Sequence, residues 1–114
     1  IHREVDAGTI AAPVLEEVRG KYDKNEGALF VTFTFSHRIS EVDESRFLLY
    51  TPDGDWYDAD RLKEIDRDTV VLVYDLSEDE VDEVVLVVVD EGAVQGEHFL
   101  NGIVNPPFSM PLRR

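Results

Sequence analysis

Cysteine is absent from this chain of 114 residues, and it has only three histidines, one methionine and one tryptophan. Without cysteine, a disulfide framework, a thiolate metal site and a cysteine nucleophile are all excluded. No run of 18 apolar residues is present, so the sequence offers no candidate for a membrane-spanning helix. Ile1 to Glu4 lack the features of a signal peptide, and we expect this chain to be a piece cut from a larger protein.

Positive charge is also scarce, because 25 acidic residues face 11 basic ones and the net charge is −14. Such a surface repels phosphate backbones and anionic lipid headgroups, so nucleic acid and membrane surfaces are poor partners for it. The acidic residues are distributed along the chain rather than gathered in one tail. They are typical of a solvated, solubilising surface, and adaptation to high salt is an alternative that the composition leaves open.

Strand-forming residues dominate what is present. Three short runs, Ala28–Phe35, Thr69–Tyr74 and Val84–Val89, are rich in β-branched and aromatic side chains and are bounded by turn or charged residues. In the first run apolar and polar residues alternate, which predicts a half-buried strand. The last run is apolar on both faces, which predicts a central position in a sheet or a position whose outer face is covered by a loop or a neighbour.

Weaker patterns fill the remaining segments. Capping signals that begin at Ser40 and Ser77 each predict one helical turn, the second anchored by Val81. Four further strands are predicted, at 14–22, 47–51, 56–62 and within 93–104. A turn at 23–27, a charged link at 63–68 and an extended, proline-rich tail at 106–114 complete the prediction.

About seven short strands joined by turns favour an all-β fold, an antiparallel two-sheet sandwich. We expect a single domain over residues 1–114, with a leader at 1–12. The predicted core takes the in-phase apolar residues of the strands: Val31, Phe33, Phe35, Leu49, Val70, Leu72 and Leu86.

Several segments together resemble the bacterial Ig-like repeats of surface-layer and other cell-surface proteins. The resemblance rests on Phe33–Ser36, Phe47–Tyr50 running into Asp53–Gly54, Thr69–Leu72, and Gly92–Val94 with Asn101–Gly102 downstream. It extends from Val14 to Asn105, and the chain departs from the pattern at Gln95–His98. The resemblance implies an Ig-like sandwich and a structural role in a secreted or surface chain.

Four aspartates, Asp53, Asp55, Asp58 and Asp60, are the candidate calcium ligands, because calcium prefers several converging oxygen atoms. Their spacing does not match an EF-hand loop, and solvated turn carboxylates are the simpler interpretation. Two adjacent rings, Trp56 and Tyr57, are the candidates for stacking on a sugar, although one ring in the core and one over a sheet edge is the simpler interpretation.

No catalytic residue or cofactor site is predicted. The histidines His2, His37 and His98 lack the spacing of metal ligands. Ser36 and His37 are adjacent, so on an extended strand they would point to opposite faces and could not form a nucleophile and base pair. An enzyme is therefore not expected.

The function that these observations favour is a non-catalytic structural or interaction module of a larger secreted or cell-surface protein, acting as a spacer, lattice or adhesion domain. Its partners would be other domains of the same chain or neighbouring surface proteins. A ligand-binding module for carbohydrate or calcium is the alternative.

Overall fold

The computed structural model of the chain describes residues 13–96 and 105–112. These residues form ten strands, a 3-10 turn at Glu44–Arg46 and one α-helix, α1, at Glu78–Glu83. The strands are β1 (Leu15–Asp23), β2 (Ala28–Phe35), β3 (Ile39–Val42), β4 (Phe47–Tyr50), β5 (Trp56–Asp58), β6 (Arg61–Asp66), β7 (Thr69–Tyr74), β8 (Leu86–Val89), β9 (Val94–Gly96) and β10 (Phe108–Pro111). The predicted leader, residues 1–12, lies outside the described residues.

Every strand pairing in the described part of the chain is antiparallel. A first sheet has the order β1-β2-β7-β6, a second has the order β10-β8-β4-β5, and β3 pairs with β9 in a small third sheet. The all-β, antiparallel prediction is therefore confirmed. The predicted count of about seven strands is too low, since the described residues alone contain ten.

One apolar core receives side chains from both four-stranded sheets. Leu29, Val31, Phe33 and Phe35 of β2 are fully buried, as their alternation predicts. The rings of Phe33 and Phe47 meet edge to face at a centroid distance of 4.8 Å, which joins the first sheet to the second. The edge-to-face arrangement is one of the geometries that aromatic pairs prefer.

The predicted core is confirmed at six of its seven positions and wrong at Leu86. That side chain is only half-buried, whereas its neighbours Val87 and Val89 are fully buried. Residues 84–89 are apolar on both faces, so the alternation that identified the buried face of β2 is missing here. The predicted central position is confirmed, because β8 lies between β10 and β4.

The β1–β2 connection forms as its composition predicts. The Asp23 carboxylate accepts hydrogen bonds from the backbone N–H groups of Asn25 and Glu26, at 2.9 and 3.1 Å. Gly27 closes the turn with φ of +66°, a value that glycine adopts without steric cost.

The predicted strand at 56–62 is wrong, because the chain changes sheets within it. β5 ends at Asp58 in the second sheet, and β6 begins at Arg61 in the first. β6 then continues to Asp66 through the segment predicted as a charged link. β6 lies at the edge of the first sheet. Edge strands tolerate charged side chains, so the charged residues of 61–66 are compatible with a strand.

The helical turn predicted from Ser40 is displaced. Residues 39–42 form β3, and Asp43 caps the 3-10 turn by accepting from the backbone N–H of Ser45. The second capping prediction is confirmed. Ser77 and Glu80 form a reciprocal capping box at the start of α1, and Val81 is its buried anchor.

The tail is extended, as predicted, and it contains an edge strand, since β10 pairs with β8. Asn105 precedes it and is fully buried. Its side-chain oxygen accepts from the backbone N–H of Val94 at 2.8 Å, and its amide donates to the carbonyls of Asp90 and Pro106 at 2.9 and 2.7 Å. Because every polar atom of this side chain is bonded, Asn105 fastens the tail to the β8–β9 loop.

The strand predicted within 93–104 is present in part as β9, and residues 97–104 lie outside the described residues. Over residues 13–96 and 105–112, no helix has the length and apolar character needed to cross a membrane.

Candidate functional site

The four candidate calcium ligands lie along the β4–β5 turn, β5 and the step between sheets. Among residues 13–96 and 105–112, no three carboxylate or histidine side chains come together in a way that could hold a metal ion. The Asp60 carboxylate instead accepts a hydrogen bond from the backbone N–H of Asp75 at 2.7 Å. Asp60 thus helps to fix the chain where it passes from the second sheet to the first.

The candidate stacking rings point in opposite directions from β5. Tyr57 pairs with Leu49 and packs against the core, whereas Trp56 pairs with Tyr50 on the outer face and is 54% exposed. They therefore do not form a joint sugar platform. Trp56 and Tyr50, the latter half-buried, remain as neighbouring rings on that outer face.

Ser36 and His37 are closer than the sequence predicts. Both follow the end of β2 in a bend, so strand alternation does not apply to them, and the Ser36 hydroxyl lies 2.7 Å from His37 Nδ1. The same hydroxyl oxygen accepts from the backbone N–H of Val14 at 2.9 Å. The prediction that the two side chains cannot pair is wrong, although the hydroxyl also serves to anchor the start of β1.

A groove with a volume of about 790 Å³ lies on the outer face of the first sheet. The strand register builds it. Lys21 of β1, Phe30 of β2, Val73 of β7 and Arg61 of β6 lie in one row across the four strands. The next row on the same face of the sheet starts at Arg19 of β1. In β6 the register with β7 shifts between Leu62 and Glu64, and Lys63 lies at this shift.

Basic side chains form both rims of this surface, which we call the basic groove. Arg19 and Lys21 stand on β1, Arg61 and Lys63 stand on β6, and β2 and β7 supply the floor between them. The two rims are three strand spacings apart, roughly 14 Å. Thus four of the eight lysines and arginines in residues 13–96 and 105–112 border one groove of a strongly acidic chain.

The contacts of the four cations differ. Arg19 pairs with Glu17, and Arg61 Nη1 lies 3.1 Å from both carboxylate oxygens of Asp75. Lys63 Nζ stands 4.8 Å from the centre of the Phe30 ring, a cation–π contact. The Lys21 ammonium makes no hydrogen bond or ion pair with any other described residue.

Three carboxylates, Asp23, Glu26 and Glu64, also border the groove. Asp23 is committed to the β1–β2 turn. With four cations and three anions the groove is close to electrically balanced, whereas the whole chain carries −14. The groove lining therefore carries far less net negative charge than the chain as a whole.

The opposite kind of surface surrounds α1. Partial burial raises the pKa of Tyr57, and the carboxylates of Glu80, Glu83 and Asp55 raise it further. Carboxylates of α1 and of the β4–β5 turn therefore act on the same phenol. Four carboxylate side chains of α1 are exposed to solvent: Glu78, Asp79, Asp82 and Glu83.

Sequence reasoning missed the basic groove because its rims come from segments about 40 positions apart. The local signals were present, since Arg19 and Lys21, and Arg61 and Lys63, each stand two residues apart and so share a strand face. The predicted boundary between a strand at 56–62 and a link at 63–68 divided Arg61 from Lys63 and concealed the second pair.

Comparison of the chain with protein-family models, with curated proteins and with solved structures finds no match.

Proposed function

We propose that this chain is a non-catalytic interaction module of a larger secreted or cell-surface protein, serving as a spacer, lattice or adhesion domain, and that its fold is an Ig-like two-sheet sandwich. The observation that carries the proposal is the basic groove. A chain of net charge −14 that gathers half of its described basic residues around one groove has there a surface that differs from the rest of the chain and offers both signs of charge to a neighbouring domain.

The sheet arrangement supports the sandwich part of the proposal. The two four-stranded sheets share buried residues of one core, and the Phe33–Phe47 contact spans them. In such a layered fold the outer faces of the sheets stay free for contacts with neighbouring domains. The basic groove lies on one of these outer faces.

Surface labelling of the organism that makes this protein tests the proposed location. A membrane-impermeant amine reagent applied to intact cells should modify Lys24, which is exposed, in the parent protein. A cytosolic protein in the same cells serves as the control and should stay unlabelled. Modification that requires cell lysis would contradict the proposal.

A carbohydrate-binding module is the second candidate, and the exposure of Trp56 beside Tyr50 favours it. Trp56 is the only tryptophan of the chain, so its fluorescence reports this surface alone. Titration with neutral oligosaccharides should give a saturable change in emission if a sugar stacks on the ring. Unchanged emission across a panel, together with calorimetry that does not distinguish Trp56→Ala from the unmodified chain, would reject this candidate.

A further inference from the structure

We propose that strand β6 pairs antiparallel with β6 of a second copy of this chain, so that the four-stranded first sheets of both copies become one continuous sheet. This inference rests on the proposed role as an interaction module and names its partner. The same strand lies on both sides of a two-fold axis perpendicular to the sheet. A contact of this kind is isologous and closes into a dimer.

The outer edge of β6 is open. This strand ends the first sheet, and among the described residues it pairs only with β7. No backbone hydrogen bond of a turn or loop in the described part of the chain involves residues 62–65. An edge strand directs part of its N–H and C=O groups away from the sheet, where they form a template for another strand.

The hydrogen bonds of the neighbouring ladder show which groups point outward. The Phe35 N–H donates to the Asp68 carbonyl at 2.8 Å, just beyond the last pair of the β2–β7 ladder. Hydrogen-bonded and non-bonded pairs alternate along an antiparallel ladder. With the alternation fixed at this end, Val70 and Leu72 are the β7 residues that exchange hydrogen bonds with β2.

Leu62 and Ile65 are therefore the β6 residues with outward backbone groups. They lie opposite Leu72 and Val70, whose own backbone groups are used by β2. The N–H and C=O of Leu62 and Ile65 consequently face away from β7. Two strands that each offer groups at these two positions can form hydrogen-bonded pairs with one another.

The irregularity in β6 makes its self-pairing possible. Pairing over the full length of two antiparallel β6 strands places Leu62 of each copy opposite Ile65 of the other. In a regular strand, residues three apart lie on opposite faces and could not be matched in this way. The register shift between Leu62 and Glu64 restores them to one face, and both side chains pack against the core. The extra residue of one copy then faces the same extra residue of the other.

The side chains of the remaining positions are compatible with this register. Lys63 of each copy comes opposite Glu64 of the other, and neither side chain forms a hydrogen bond or ion pair with another described residue. Opposite charges directly across a pair of strands stabilise it, whereas like charges destabilise it. Arg61 comes opposite Asp66, but Arg61 already binds Asp75, so this pair is not needed for the contact.

The other sheet edges in the described residues are less suited to a second copy. Antiparallel self-pairing of β1 about its middle places Arg19 opposite Arg19. In the second sheet, β5 has only three residues, and β10 has four and ends at Pro111. A bulge and charged side chains keep unrelated strands away from an edge. On β6 the same features match those of a second copy, which makes the contact specific.

Each contact by itself should be weak, because one short strand edge buries less than the roughly 1,200 Å² of stable interfaces. It becomes effective when copies are held together, since tethering raises the effective concentration to the order of a millimolar. Two copies of −14 also repel one another in dilute buffer, where the screening length is about 30 Å at 0.01 M salt. Association should therefore be stronger at about 0.15 M, where this length is about 8 Å.

Sedimentation equilibrium at about 0.15 M salt and up to about 1 mM chain measures the association. Amide hydrogen exchange at the same concentrations locates it. Exchange of the Leu62 and Ile65 amides should slow at least about twofold once half of the chain is dimeric, because these N–H groups become bonded. Amides on the outer edge of β1 should exchange at an unchanged rate.

A charge swap tests the register. Lys63→Glu and Glu64→Lys each place like charges opposite one another at two points, and each should weaken dimerisation at least about tenfold. The double variant Lys63→Glu/Glu64→Lys restores opposite charges and keeps the net charge at −14, so its dimerisation should lie within about threefold of the unmodified chain. Thermal melts establish that all three variants are folded.

Two comparisons separate this pairing from general charge effects. Lys24→Glu makes the same charge change as Lys63→Glu at an exposed turn position, and should alter dimerisation less than about twofold. Glu64→Lys moves the net charge from −14 to −12, which lowers the general repulsion between copies. The proposed contact requires Glu64→Lys to weaken association instead.

Three results would overturn the inference. The chain could remain monomeric at about 1 mM, the folded double variant could fail to recover association, or the protected amides could lie on a strand other than β6. None of these results bears on the location of the parent protein at the cell surface. Surface labelling tests that broader proposal independently, so the two failures are distinguishable.

Discussion

Replacing Phe33 with alanine should destabilise the chain more than any other single truncation in β2, because this ring connects two sheets. Phe33 is fully buried and meets Phe47 edge to face at 4.8 Å. Truncation of a buried phenylalanine costs about 3–5 kcal/mol through lost burial and the cavity it leaves. The aromatic contact accounts for about 0.5–1.5 kcal/mol beyond burial. We expect a total loss of about 4 kcal/mol.

Chemical denaturation of Phe33→Ala and of the unmodified chain measures this difference in the free energy of unfolding. Phe30 provides a matched control on the same strand, because it points to the outer face and is only half-buried. Phe30→Ala should cost about 1 kcal/mol, since less apolar area leaves contact. A double-mutant cycle with Phe47→Ala should return a coupling of about 0.5–1.5 kcal/mol for the ring pair.

A domain of this size has about 5–15 kcal/mol of stability in total, so Phe33→Ala could leave the folded state sparsely populated. Phe33→Leu removes less volume and keeps the measurement possible in that case. A loss below about 1 kcal/mol for Phe33→Ala, or equal losses for Phe33→Ala and Phe30→Ala, would refute the assignment of the buried face of β2.

Four further predictions concern calcium, salt, pH and one buried amide. Melting curves with millimolar calcium and with a chelator should superimpose, because Asp53, Asp55, Asp58 and Asp60 are not gathered around one point. The melting temperature should rise with sodium chloride, mostly by a few hundred millimolar, as screening relieves the repulsion within a chain of −14. Burial, followed by the charges of Asp58 and Asp60, raises the pKa of Tyr74 well above its usual range, so its contribution to stability should be complete below about pH 10 and be lost as the pH rises further. Asn105→Ala should cost about 1–3 kcal/mol in denaturant melts, because it leaves the Val94 N–H and two carbonyls without their partner.

Each of these predictions has a result that contradicts it. A saturable rise in melting temperature at micromolar calcium would show that the aspartates bind the ion. A melting temperature that is flat or falls with salt would mean that the carboxylates are already paired, and a continued rise into multimolar salt would indicate a halophilic protein. For Tyr74, the test is alkaline denaturation of Tyr74→Phe, which should lose less stability above pH 10 than the unmodified chain. For Asn105, a change smaller than about 0.5 kcal/mol would mean that its bonds are replaced by water.

The predictions that succeeded rest on local physical signals. Alternation of apolar and polar residues fixed the buried face of β2, and the turn preferences of Asp23 and Gly27 fixed the hairpin that precedes it. The capping box at Ser77 similarly required only residues three positions apart. Such features are encoded within one or two turns or strands of chain, so a single sequence is sufficient to find them.

Other features depend on which segments meet. The change of sheet after Asp58 is set by β6 pairing with β7, and no residue within 56–62 marks it. The buried face of β8 is chosen by its neighbours, because all six residues of 84–89 are apolar. The basic groove exists only because β1 and β6 lie on either side of β2 and β7.

The sequence by itself thus determined the all-β class, the acidic surface and the local turns, because these follow from composition and short-range spacing. The tertiary structure alone decided the strand order, the burial of Asn105 and the assembly of Arg19, Lys21, Arg61 and Lys63 around one groove. Each of these features arises from pairing between segments that are distant in the sequence. The residues of one strand do not specify which other strand will pair with it.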